Sequence, residues 1–114
     1  MFLFSNNVAF AAANPTLFIT PSSGLKGTVF SYVGVGFTPR GGITEVIFKP
    51  NNGGNFPSAH YTANSDGAFA RSYDSSTATL FGTYSITWTD DATRKIASAS
   101  ETILEPSQTL SVIL

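Results

Sequence analysis

Short runs of alternating apolar and polar residues follow one another along this chain, and each run is bounded by Gly, Pro, Asn or Asp. Alternation with a period of two is typical of half-buried β-strands, and clusters of turn-forming residues mark strand ends. No helical periodicity extends beyond two turns. The pattern therefore predicts seven strands, at Thr16–Thr20, Thr28–Phe37, Ile43–Lys49, Ser58–Ala63, Gly67–Tyr73, Gly82–Thr89 and Lys95–Leu104.

Composition narrows the class of protein to a folded domain with an unusually uncharged surface. The chain has 114 residues, of which 42% are hydrophobic and 11% are charged, and its net charge is -1. The hydrophobic fraction excludes an intrinsically disordered chain. A nucleic-acid binder needs clustered Lys and Arg, so the near-neutral balance argues against one. Ser and Thr, 28 residues together, must supply most of the polar exterior.

Three motifs stand out in the middle of the chain. Residues 18–42 read FITPSSGLKGTVFSYVGVGFTPRGG and contain P-S-S-G, G-T and G-x-G-F-x-P. Residues 64–69 read NSDGAF, and residues 82–87 read GTYSIT. These motifs resemble the opening strands, the D-G-x-F hairpin and the G-T-Y strand of the immunoglobulin-like repeats of bacterial and archaeal surface proteins, including the IPT/TIG type. The resemblance covers residues 16–104. It implies an all-β fold, an immunoglobulin-like antiparallel β-sandwich of about seven strands, with no shared catalytic residues.

The strand at residues 82–89 shows which face of the sandwich is buried. Tyr84, Ile86 and Trp88 alternate with Ser and Thr, so the aromatic face is predicted to point into the core. The register of the resembled family places further side chains in that core: Leu17, Ile19, Phe30, Tyr32, Val46, Phe48, Phe69, Tyr73, Ala97, Ala99 and Ile103.

The same register leaves an apolar strip on the outside of the sandwich, formed by Phe18, Val33, Val35 and Ile47. A slip of one residue would exchange the two faces of a strand, and that alternative stays open here. If the register holds, the strip requires a partner, because soluble monomers rarely expose contiguous apolar patches.

Both ends of the chain carry apolar segments outside the predicted sandwich, which spans residues 16–105. Residues 1–15 are interpreted as an N-terminal segment, either the remnant of a secretion signal or a donor strand. Residues 106–114 are interpreted as an apolar C-terminal strand. In an extended strand, Val8, Phe10 and Ala12 would share one face, and Leu110, Val112 and Leu114 would share another. We expect Asn7–Ala13 to pair with a neighbouring chain, and Thr109–Leu114 to add to its own sandwich or to the same interface.

Candidate chemistry is sparse. The sequence has one histidine, His60, and no G-x-S-x-G elbow, so it does not indicate a hydrolase. Asp66, Asp74 and Asp90-Asp91 lack the spacing of a calcium loop. Cysteine is absent, which excludes disulfides and thiolate metal sites. Trp88 could stack on a sugar ring, but its position in the aromatic face favours a core residue. We therefore expect no enzymatic activity, no cofactor and no metal.

These observations predict a secreted, non-enzymatic structural protein at the cell surface or outside the cell. The leading hypothesis is a subunit of a homo-oligomeric filament, pilus-like fibre or surface layer assembled by β-strand addition, with no nucleic acid and no membrane span. The predicted interface comprises Val8, Phe10, Ala12, Phe18, Val33, Val35, Ile47, Leu110, Val112 and Leu114. The alternative is an adhesin or carbohydrate-binding module that recognises a glycan or a surface receptor. The two differ in whether the purified protein assembles or stays monomeric.

Overall fold

The structure, a computed structural model, describes residues 14–106 and is an all-β sandwich of two sheets. Within these residues eight strands follow one another, with a single 3₁₀ turn at Ser75–Thr77. Their bounds are β1 Thr16–Thr20, β2 Ser23–Leu25, β3 Val29–Val35, β4 Gly42–Phe48, β5 Ala59–Thr62, β6 Phe69–Asp74, β7 Gly82–Asp90 and β8 Ile96–Leu104.

Seven of these strands coincide with the predicted ones to within two residues at every boundary, and the eighth, β2, is additional. Its first residues, Ser23 and Gly24, belong to the P-S-S-G motif, which is rich in turn-forming residues. β2 forms because β8 is long enough to offer a partner: Ser23, Gly24 and Leu25 pair in parallel with its last three residues. A three-residue strand carries too little sequence pattern to be recognised without that partner.

Strand order identifies the sandwich as immunoglobulin-like. One sheet has the order β1-β3-β6 and the other the order β2-β8-β7-β4-β5. Every neighbouring pair is antiparallel except β2 with β8. The chain thus crosses repeatedly between two face-to-face sheets, as in immunoglobulin domains, and only β4–β5 and β7–β8 are consecutive strands of the same sheet among the described residues. A second hallmark is the tyrosine corner: the Tyr84 hydroxyl, near the start of β7, donates a 2.8 Å hydrogen bond to the Leu80 carbonyl oxygen.

The chain enters and leaves the sandwich at opposite ends. The N-terminal end, where β1 begins, also carries the β3–β4 loop and the turn between β7 and β8, because Thr16 pairs with Val35 and Thr38 hydrogen-bonds Asp90. The C-terminal end carries β2 and the last residues of β8, where the Thr102 N–H donates to the Ser22 carbonyl oxygen. Residues Asn14 and Pro106 therefore lie at opposite ends of the long axis of the strands.

Trp88 lies at the centre of the core and has no exposed surface. Its ring centroid lies 6.3 Å from that of Tyr32, 6.1 Å from that of Phe37 and 5.6 Å from that of Phe69. Gly34 packs directly against it: a methyl group at Gly34 would stand 2.6 Å from the Trp88 ring. The predicted placement of Trp88 in the core is confirmed, and Gly34 provides the space that its ring occupies.

The predicted register is confirmed on most strands and wrong on β4. The core includes Leu17, Phe30, Tyr32, Tyr84, Ile86, Trp88, Ala97 and Ile103, with Ile19, Phe69, Tyr73 and Ala99 packed at its margin. On β4 the two faces are exchanged. Ile47 is 7% exposed and belongs to the core, whereas Phe48 is 47% exposed. Ile43 and Glu45 share the inward face with Ile47, and Val46 points away from the core.

Candidate functional site: outer faces and a buried charge network

The predicted outer strip exists on the β1-β3-β6 sheet, without Ile47. Phe18, Val33 and Val35 are 55%, 38% and 41% exposed. Phe18 and Val33 are directly paired neighbours on β1 and β3, and Val33 is paired in turn with Ala70 on β6. The three strands thus present a continuous apolar surface, which we call the apolar face. Ile47 cannot contribute to it because β4 belongs to the other sheet and its side chain points into the core.

Six other residues of the predicted interface, Val8, Phe10, Ala12, Leu110, Val112 and Leu114, lie outside the described residues.

The outer face of the five-stranded sheet carries rows of hydroxyl groups on β7 and β8 and also exposes Phe48, Ile96 and Leu104. Thr83 pairs with Thr102, Ser85 with Ser100, and Thr87 with Ser98 across β7 and β8. The Thr83 and Thr102 hydroxyl oxygens are 2.9 Å apart. Within the strand segments β4, β5, β7 and β8, no outward-facing residue is an Asp, Glu, Lys or Arg. Soluble proteins commonly use charge on exposed sheets to prevent association, so its absence here leaves this face open to contact.

Sequence reasoning missed a charge network inside the sandwich, centred on Glu45. The Glu45 side chain is 5% exposed and forms a 3.1 Å ion pair with Arg71 of the opposite sheet. The Trp88 indole N–H donates a 2.8 Å hydrogen bond to Glu45 Oε2. The Arg71 guanidinium lies over the Tyr32 and Tyr61 rings, at 5.2 and 5.5 Å from their centroids. The sequence does contain a sign of this network. Glu45 alternates with Ile43 and Ile47, so it places a charge on an otherwise apolar face of the strand.

A second buried carboxylate, Glu101, lies on β8 across the core from Tyr32. The Tyr32 hydroxyl donates a 2.6 Å hydrogen bond to Glu101 Oε1, while Oε2 is buried without a hydrogen-bond partner. Burial raises the pKa of Glu101, and the nearby negative charge of Glu45 adds to this effect. The Tyr32 hydrogen bond and Arg71 oppose the rise without cancelling it. Burial and Glu101 likewise raise the pKa of Tyr32 above its ordinary range.

We expect the raised pKa of Glu101 to make stability fall as pH rises. An acid whose pKa is higher in the folded protein stabilises the fold fully below its unfolded pKa, about 4.3 for Glu, and this contribution is lost as pH rises through the folded pKa. Glu101→Gln keeps the shape and does not ionise. The melting temperature of Glu101→Gln relative to that of the parent should increase from pH 4 to pH 8. The exposed control Glu105→Gln should show the same pH dependence as the parent. Parallel curves for parent and Glu101→Gln would contradict this assignment.

Two of the acidic residues considered for calcium, Asp74 and Asp90, accept hydrogen bonds from backbone N–H groups instead. Asp90 accepts hydrogen bonds from the Thr38 N–H and hydroxyl and from the Ala92 N–H. Burial opposes ionisation of Asp90, but these donors outweigh it and hold its pKa below the usual range. Asp74 caps the 3₁₀ turn by accepting from the Ser76 N–H. Within residues 14–106, no group of three or more His, Asp or Glu side chains could hold a metal ion.

His60 is exposed and takes part in a short surface chain of hydrogen bonds. The Thr44 hydroxyl donates to Asp91 at 2.7 Å, and the same oxygen lies 3.2 Å from His60 Nδ1. The hydroxyl hydrogen is committed to the carboxylate, so His60 acts as donor to the threonine oxygen. In a nucleophilic triad the histidine stands between carboxylate and hydroxyl and accepts the hydroxyl proton. Here the threonine hydroxyl stands between the carboxylate and the histidine. The histidine is therefore not placed to accept the hydroxyl proton, and it does not activate Thr44.

Comparisons with known proteins support the fold and go no further. No protein-family model matches the chain, and no curated protein matches it. Among solved structures it is similar to macromomycin, with a TM-score of 0.53 and 15% identity over 79% of this chain and 99% of that one. It is also similar to the PKD domain of an M14-like peptidase from Thermoplasmatales archaeon SCGC AB-540-F20, with a TM-score of 0.43 and 21% identity over 81% of this chain and 94% of that domain.

The part of the chain that the structure describes has no helix long and apolar enough to cross a membrane.

Proposed function

We propose that this chain is a secreted structural subunit of an extracellular filament or surface layer, and that its copies join by β-strand addition. The observation that carries the proposal is the apolar face, where Phe18, Val33 and Val35 are exposed side by side on a sheet whose outward side has a single charged strand residue, Asp74, among the described residues. Burial of such surface against a second copy is favourable by about 25 cal/mol per Å². We also propose that the chain is related to the IPT/TIG-type surface repeats that its sequence resembles.

Two further features support an assembly role. Both outer faces of the sandwich are almost uncharged, and charge is concentrated at strand ends and in loops, at residues such as Lys26, Arg40 and Arg94. In addition, the described chain enters and leaves at opposite ends, so a terminal segment that reaches a neighbour gives a head-to-tail contact. A head-to-tail contact that does not close on itself produces a filament.

We also propose that the chain has no enzymatic activity. The surface hydrogen-bond chain Asp91–Thr44–His60 supports this, because it does not activate the threonine hydroxyl. The rival hypothesis is an adhesin or carbohydrate-binding module. Trp88, which was considered as a sugar-stacking platform, has no exposed surface and therefore gives that rival no support.

Assembly can be tested on the full chain by light scattering coupled to size-exclusion chromatography, with negative-stain microscopy of the same fractions. We expect concentration-dependent oligomers or fibres. Two truncations, one lacking residues 1–13 and one lacking residues 107–114, should both keep the β-sheet circular dichroism spectrum, and at least one should be monomeric. A full chain that stays monomeric at every concentration would exclude the assembly role.

A further inference from the structure

The first part of β8 is a sheet edge that is both unpaired and unprotected. β2 pairs only with Thr102, Ile103 and Leu104, which leaves residues 96–101 without a strand partner in their own sheet on that side among the described residues, although β1 of the other sheet packs nearby. This edge contains no charged residue between Ile96 and Ser100, no proline and no bulge, which are the devices that natural edges use to avoid pairing. We call residues 96–100 the open edge.

The hydrogen-bonding groups of the open edge can be assigned from the ladder. Asp90 N–H donates to the Lys95 carbonyl oxygen, and bonded pairs alternate from there along β7 and β8. Ala97 and Ala99 therefore bond to β7, while Ile96, Ser98 and Ser100 direct their N–H and C=O groups away from it. The Thr102 N–H, next in this alternation, does bond outward, to Ser22. The three residues before it have no such partner in the described chain.

The other long edge is less suited to pairing. On β6 the same alternation, fixed by the bond from Ser75 N–H to Thr28 O, directs the backbone groups of Ala70, Ser72 and Asp74 outward. That strand, however, carries Arg71 pointing inward at its margin, bound to Glu45. An added strand would bury the Arg71 side chain further, since it is 24% exposed, whereas Glu101, the inward-pointing charge on β8, is already buried and lies just past the open edge.

We propose that the open edge of one copy binds the C-terminal segment Thr109–Leu114 of a second copy as a parallel strand. This inference rests on the proposed function and specifies which segment is the added strand and which sheet edge receives it. β8 runs from the N-terminal to the C-terminal end of the sandwich, and the chain continues beyond its C-terminal end. When copies stack head to tail in one orientation, that continuation meets the N-terminal end of the next copy, where Ile96 begins the open edge.

Direction and length agree with this occupant. A segment that arrives from the copy below runs parallel to β8, which is also the direction of β2, so the two would follow one another along a single edge. Six residues of extended chain span roughly 20 Å at 3.3 Å each, enough to cover the five residues of the open edge before β2 is reached. An N-terminal donor would approach from the opposite end, where β2 already occupies the edge.

Cysteine cross-linking tests the proposal without interference from native thiols, because the chain has no cysteine. Ser98→Cys and Ser111→Cys are made in separate full-length proteins and mixed under oxidising conditions. Neighbouring strands are about 4.8 Å apart, within disulfide range. We expect a disulfide-linked heterodimer. The matched control, Ser72→Cys on the β6 edge mixed with Ser111→Cys, should give none. A cross-link through Ser72→Cys but not Ser98→Cys would overturn the proposal, as would a Ser98→Cys cross-link formed only with Ala11→Cys.

A proline pair supplies a second, independent measurement on the same edges. Ser98→Pro removes an N–H that faces the open edge and leaves the β7 ladder intact, and Ser72→Pro does the same at the free side of β6. We expect Ser98→Pro to abolish assembly and Ser72→Pro to retain it, with both proteins folded. If the full chain assembles and Ser98→Pro assembles equally well, the open edge is not the acceptor, although the assembly role stands. If the parent never assembles, the proposed function itself fails.

Discussion

Replacement of Trp88 by alanine should remove most of the stability of this domain. The ring is fully buried against Tyr32, Phe37 and Phe69, so its removal would leave a large cavity in the core. Truncation of a core aromatic residue costs about 3–5 kcal/mol, against a total stability of about 5–15 kcal/mol for a domain. The melting temperature of Trp88→Ala should therefore fall by about 15 °C or more, as measured by circular dichroism.

Two companion variants separate the causes of that loss. Trp88→Phe keeps most of the ring volume but removes the indole N–H that donates to Glu45, so it should cost about 1–3 kcal/mol. Phe18→Ala removes an aromatic ring of similar size from the exposed apolar face and should leave the melting temperature nearly unchanged. A Trp88→Ala protein that melts like the parent, and that instead loses binding on a glycan array, would contradict the core assignment and favour a carbohydrate-binding module.

Loss of Arg71 should be the second largest effect, because it leaves the Glu45 carboxylate buried without its counter-charge. Breaking a buried ion pair by removing one partner costs about 3–5 kcal/mol. Arg71 is 24% exposed on its side chain, so part of the pair is screened by water, and we expect Arg71→Met to cost about 2–3 kcal/mol. Urea unfolding followed by intrinsic fluorescence measures this directly, since Trp88 contacts the network.

The double variant Arg71→Met, Glu45→Gln tests whether the charge itself is responsible. A glutamine at position 45 still accepts the Trp88 hydrogen bond but needs no counter-charge, so the double variant should recover much of the stability that Arg71→Met loses. Lys26→Met removes an exposed positive charge in a turn and serves as the control, with an expected change within about 0.5 kcal/mol. Additive losses in the double variant would mean that Arg71 acts through packing rather than through its charge.

The Glu45 network also explains why sequence reasoning reversed the faces of β4. In the run Ile43–Phe48 both alternating sets contain large apolar residues, and a glutamate ordinarily faces water. Its inward position becomes favourable only when Trp88 supplies a hydrogen bond and Arg71 a counter-charge from across the core. Those partners are 43 and 26 residues away in the chain, so no local pattern could reveal them.

The sequence by itself determined the positions of seven strands, the all-β class and the burial of Trp88. Each depends on local chemistry: turn residues end a strand, and a period of two assigns its faces. Only the tertiary structure decided the rest. β2 needs the end of β8 as a partner. Glu45 and Glu101 are held inward by residues that are distant in the sequence. The open edge exists because β2 pairs with Thr102, Ile103 and Leu104 and does not extend to Ser100. Such features arise where strands from different parts of the chain meet, and their energies depend on contacts that alternation within one strand does not encode.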